Sequence, residues 1–116
     1  MSTATTIALQ GKYPLTTGEV DRRVTRTSPG VYVLSHDGEH ARYVGRSDKN
    51  VRSRLKDWVG TYAYFWFAYA SSPKDAFEKE CTLFHKFGGS TALDNKIHPD
   101  RPANCNWQCP VCSHYG

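Results

Sequence analysis

Gly30-Val31-Tyr32-Val33-Leu34 and Tyr43-Val44-Gly45 are the two runs on which the fold turns. Both are rich in β-branched and aromatic residues, which fit a pleated, half-buried surface. Between them lies Asp37-Gly38, a pair favoured in two-residue type I′ hairpin turns. A hairpin closed there sets His36 opposite Glu39 and Tyr32 opposite Tyr43, with Val31 facing Val44 and Gly30 facing Gly45. The two phenols then share one face of the sheet, their Cβ atoms about 4.5–5.5 Å apart, as for directly opposed residues.

Upstream of the hairpin, residues 1–15 lack periodicity and read as an arm. Thr16 or Thr17 caps a short helix through Val24, with Glu19 and Asp21 in the first turn where the helix dipole favours acids. Ser28-Pro29-Gly30 breaks that pattern. Downstream of Ser47-Asp48-Lys49-Asn50, the residues Val51, Leu55, Trp58 and Val59 recur at helical spacing until Gly60. Tyr62 to Tyr69 is a dense aromatic run and reads as a third strand buried on both faces. Ser71-Ser72-Pro73 opens a further helix that runs to Phe87 and stops at Gly88-Gly89. The order strand, strand, helix, strand, helix predicts a small α/β (α+β) domain, a three-stranded antiparallel sheet flanked by helices. Within one domain, residues 1–27 form the arm and short helix, 28–95 the core, and 96–116 an irregular cysteine-rich tail.

A chain of 116 residues, 39% hydrophobic, has enough apolar material for one core and little room for a second. No apolar run reaches the roughly 18–20 residues that cross a bilayer. Residues 1–10 lack the basic and apolar blocks of a secretory signal, so a cytoplasmic location is expected. The net charge of +4 is compatible with a polyanionic partner without identifying one.

The helix after Pro73 carries the most informative residue. At about 100° per residue, Ala76, Phe77, Cys81, Leu83, Phe84 and Phe87 make one apolar stripe, and Glu80 falls near its centre. A buried carboxylate without a partner costs several kcal/mol, so one is expected. A core arginine is one candidate; a hard, oxygen-preferring cation such as Mg²⁺ is the other. On the preceding helix Arg52 and Arg54 flank the apolar stripe on opposite sides, and periodicity does not choose between them. Taken alone, Arg46, Lys49, Arg52, Arg54 and Lys56 read as a solvated basic face.

In this order the motifs resemble the GIY-YIG endonuclease superfamily. Gly30-Val31-Tyr32 and Tyr43-Val44-Gly45 are similar to its two namesake elements; Arg46 through Leu55 is similar to its basic residue, short loop and arginine-bearing helix. Asp75-Ala76 through Glu80 is similar to its metal-binding helix, so the resemblance covers about residues 28–87. It implies a metal-dependent DNA endonuclease in which Glu80 holds one Mg²⁺ or Mn²⁺ and Arg54 contacts phosphate. One of the two tyrosines is implied as the general base, Tyr32 ahead of Tyr43, with the other relaying or orienting through its hydroxyl and a cation such as Arg46 helping to populate the phenolate. It further implies Asn104, with Asn95 as runner-up, as the late asparagine, and Arg46, Lys49, Arg52 and Lys56 as nucleic-acid contacts. Trp58 departs from the histidine or tyrosine usual one turn after the arginine. Structured RNA is a further candidate substrate, and a homodimer or partner protein is a candidate source of specificity. The alternatives are an inactive nucleic-acid-binding module of the same fold and a zinc-stabilised interaction domain using the aromatic run.

Cys105, Cys109 and Cys112 have the spacing C-x3-C-x2-C, and Cys109-Pro110-Val111-Cys112 resembles half of a zinc knuckle. His98 or His114 would complete a four-ligand structural Zn²⁺ site; free thiols in a packed tail are the competing reading. Cys81, on the apolar stripe, reads as core.

Overall fold

The computed structural model describes residues 7–96, 98–100, 102 and 105–112. Its sheet has four strands, not three: β1 (Gln10–Pro14), β2 (Gly30–Ser35), β3 (Tyr43–Ser47) and β4 (Tyr64–Tyr69). They lie in the order β1-β4-β2-β3, every neighbour antiparallel. The missed strand, β1, is mostly exposed and contains Gly and Pro, so it shows neither alternation nor β-branched residues. It survives at the sheet edge by pairing with β4, where a one-sided ladder tolerates Pro.

Helix α1 (Thr17–Arg23) starts at Thr16, whose side chain accepts the Glu19 N–H at 3.1 Å. Helix α2 (Val51–Lys56) is capped by Asn50, and α3 (Pro73–Lys86) by Ser72 with Pro73 in its first turn. A single turn, α4 (Gly89–Ala92), follows.

Alternation along β2 divides the core. Tyr32 and Leu34 pack with Val20, Val51, Leu55, Phe65 and Phe67 beneath α1 and α2. Val31 and Val33 pack with Val44, Ala68, Leu83 and Phe84 beneath α3. Gly30 permits close approach of α2, since a Cβ there would meet the Ala68 carbonyl at 2.7 Å and Val51 at 3.0 Å. Phe65 and Phe67 are fully buried, whereas Tyr64, Trp66 and Tyr69 on the same strand are only partly covered, so burial on both faces is incomplete.

The hairpin register differs from the expected one. Tyr32 pairs with Gly45 and Leu34 with Tyr43, a displacement of two residues. Asp37-Gly38 does not close a two-residue turn. Instead Asp37 Oδ1 accepts the N–H groups of Glu39 and His40 at 2.8 and 2.9 Å, folding a longer loop. An even displacement keeps every side chain on its face. The two tyrosines therefore still share one face, diagonally related, with ring centroids 6.5 Å apart.

Candidate active site

β3 is an edge strand, and a cleft of about 760 Å³ opens across it. From the α2 face come Tyr32, Tyr43, Arg54 and Trp58; from the α3 face come Arg46 and Glu80, with Lys49, Asn50 and Asp100 along the rim. Two turns set this up. Ser47 Oγ accepts the N–H groups of Lys49 and Asn50, and the Asn50 side chain then caps α2. That start aims Arg54, not Arg52, at the cleft; Arg52 is not among its lining residues. Lys56 is likewise absent from the lining and is ion-paired to Asp21 on α1 at 2.5 Å. Of the expected basic contacts, Arg46, Lys49 and Arg54 reach the cleft and Arg52 and Lys56 do not.

Gly45 explains why the phenol lies where it does. A Cβ at this position would come within 2.4 Å of the Tyr32 hydroxyl oxygen, so only glycine lets that ring cross the strand. Trp58 Nε1–H donates to Tyr32 Oη at 2.9 Å, and Trp58 packs on Tyr43 with centroids 4.6 Å apart. An indole N–H only donates, so Trp58 orients the phenol and takes no proton. Burial pushes the Tyr32 phenol well above its ordinary range, against the pull of the Trp58 N–H and Arg54. Burial also raises Tyr43, again opposed by Arg54. The cation acting on the phenols is thus Arg54, where Arg46 was expected.

Arg46 is occupied elsewhere. Its Nε donates to Asp48 at 2.9 Å and its Nη1 to Glu80 Oε1 at 2.6 Å, while its guanidinium lies over the Phe77 ring. Glu80, only 8% exposed, thus has the arginine partner that its place on an apolar stripe called for. Burial still outweighs that partner, and the carboxyl is pushed up to about 7. Glu80 has an arginine on one oxygen and an open, polar cleft beside it. Such a donor suits a hard cation that keeps most of its own waters.

Asn104 and His114 lie outside the described residues. Asn95 does not line the cleft. Its side-chain amide accepts the Val44 N–H at 2.9 Å and donates to the Val44 carbonyl at 2.8 Å, standing in for a fifth strand on the open edge of β3. Nearby, Asp94 accepts from Arg42 and from the Tyr62 hydroxyl, fastening the same segment. Trp58 is the site residue whose contact with Tyr32 sequence reasoning missed, because helical periodicity marks it only as apolar.

A second donor group lies at the far end of α3. The donor atoms of His85, His98, Cys109 and Cys112 fall within 4.8 Å of one another, a group capable of holding a metal ion. Cys105 is not part of it, and His85, an ordinary last-turn basic residue in sequence, is.

No family model matches the chain, and no curated protein matches it. Among solved structures, the GIY-YIG N-terminal endonuclease domain of UvrC from Thermotoga maritima is similar, with a TM-score of 0.50 and 21% identity. That structure is a point mutant bound to its catalytic divalent cation, and the match covers 64% of this chain and 94% of that domain. The fold is GIY-YIG-like. In this GIY-YIG-like frame the described residues include no helix long and apolar enough to cross a membrane.

Proposed function

We propose that this chain is a divalent-cation-dependent endonuclease that hydrolyses DNA phosphodiester bonds in the cleft across β3. The observation that carries the reading is Glu80: a carboxylate 8% exposed, opening into the same cleft as two phenols and Arg54. The similar UvrC domain, an endonuclease with a catalytic divalent cation, supports it.

Glu80 would hold one Mg²⁺ or Mn²⁺, with water filling the other positions. When bound, such an ion supplies positive charge to the phosphoryl and leaving oxygens. Arg54, exposed and without an ion pair among the described residues, offers its planar fork to the phosphate. Arg46, locked between Asp48 and Glu80, orients the carboxylate instead of binding substrate. Tyr32, fixed by Trp58 and Gly45, positions the attacking water; for its phenolate to take that water's proton, Arg54 and the bound cation would have to offset the burial that holds the phenol above its ordinary range. Tyr43, less buried and lining the same cleft, would offer a second hydroxyl to orient that water. Lys49 on the rim contacts the nucleic-acid backbone.

The test is nicking of supercoiled plasmid with and without Mg²⁺. Mg²⁺-dependent nicking by the wild type, lost in Glu80→Gln and Arg54→Ala, is expected. Equal nicking in either variant would remove the roles assigned here.

A further inference from the structure

Beyond the cleft, the end of α3 gathers two imidazoles and two sulfurs at one point, and none of these residues lines the cleft. His85 Nε2 and His98 Nε2 are 3.3 Å apart, and Cys112 Sγ is 3.3 Å from the same His98 nitrogen. Cys109, 6% exposed, closes the group from a cluster with Phe77 and Cys81. All four cysteines of the chain are free thiols, so the sulfurs are not gathered by a disulfide.

The tautomer of His98 supplies an independent observation. Its Nδ1 lies 3.0 Å from the Pro99 carbonyl oxygen, an atom that only accepts. Nδ1 therefore carries the proton, and Nε2 aims a lone pair into the group; metal-bound histidines are commonly oriented in this way. A tetrahedral ion with nitrogens at about 2.0–2.1 Å and sulfurs at about 2.3 Å spaces its donors roughly 3.3–3.8 Å apart. The two 3.3 Å edges match that spacing. The 4.8 Å outer limit of the group leaves closure of about 1 Å for binding to complete. Two thiolates with two imidazoles favour a borderline-soft ion over Mg²⁺ or Ca²⁺.

We propose that His85, His98, Cys109 and Cys112 form a closed structural Zn²⁺ site that clamps the tail onto the last turn of α3. Four protein ligands leave no open position, so the ion is structural and takes no part in hydrolysis. The clamp also has a reach into the cleft. Asp100, two residues after His98, lines the cleft with Glu80, and its charge helps to raise the Glu80 carboxyl. Fixing His98 therefore fixes a second acid at the cleft mouth.

The test starts from full-length protein purified without added metal. One zinc per chain is expected by elemental analysis, and X-ray absorption should show two sulfur and two nitrogen neighbours at about 2.3 and 2.0–2.1 Å. Cobalt substitution should give tetrahedral ligand-field bands with thiolate charge transfer. Cys112→Ser and His85→Ala should lose the metal, whereas Cys105→Ser should keep it. Wild-type protein without stoichiometric zinc, a shell with any other donor set, or loss of zinc in Cys105→Ser overturns the proposal. The wild-type spectra decide it even where a ligand variant fails to fold.

Discussion

Helix α3 presents cation donors at two places, and they differ in every physical respect. At Glu80 a single hard oxygen donor faces an open cleft and shares its charge with Arg46. At His85 nitrogen and sulfur donors from the helix and the tail close on one another beside the buried Cys109. An open oxygen site suits an ion that must meet substrate and water; a closed N/S site suits an ion that holds chain segments together. On the two proposals above, one helix would serve chemistry at its middle and architecture at its end, and the two can be disturbed separately.

The sharpest separation comes from Arg54→Ala. Removing a preorganised charge from the cleft should lower single-turnover cleavage by about 10²–10³-fold. Arg54 is exposed, so stability should stay within about 0.5 kcal/mol, and zinc content should be unchanged. Thermal melts and metal analysis on the same sample check all three. Gly45→Ala should be next. The new methyl drives the Tyr32 ring off Gly45 and away from Trp58. Overpacking of this kind costs about 1–3 kcal/mol, and the misplaced phenol should reduce cleavage by about 10–100-fold.

pH separates the two places again. Glu80 has its carboxyl raised from 4.5 to about 7, so folding favours its neutral form. That contribution is fully present below pH 4.5 and is lost as pH rises through about 7. Denaturant titrations at pH 5 and pH 8 should show the wild type losing up to about 3 kcal/mol relative to Glu80→Gln. Cleavage should run the other way, rising through about pH 7 as the carboxylate becomes available to a cation. The smallest effect on activity is expected from Asn95→Ala. Losing both hydrogen bonds to Val44 should cost about 1–2 kcal/mol while cleavage changes by no more than about threefold. A hundredfold loss of cleavage would return Asn95 to the catalytic set.

How legible these features were depended on how local their causes are. Glu80 stood out because a helix repeats its faces, and an acid on an apolar stripe demands a partner. The shared face of Tyr32 and Tyr43 survived a wrong hairpin register because the displacement was even. The loop itself was misread because Asp37 accepts two backbone N–H groups, an alternative to a tight turn that the Asp-Gly pair does not reveal. β1 was invisible because its order comes from β4 and not from its own residues. The choice of Arg54 over Arg52, and of His85 over Cys105, depends on how chain-distant elements pack. Helical periodicity leaves Arg52 and Arg54 level, and it is the resemblance of residues 46–55 that selects Arg54; nothing comparable in the sequence marks His85.

The most direct test of the central claim is the single-turnover cleavage rate of a labelled duplex by zinc-loaded protein, titrated with Mg²⁺, for the wild type and Glu80→Gln. A saturable Mg²⁺ dependence in the wild type and a loss of about 10³-fold, or ~4 kcal/mol, in the variant are predicted. Cleavage by Glu80→Gln within about tenfold of the wild type, with the same Mg²⁺ dependence, would contradict a catalytic cation held by this carboxylate.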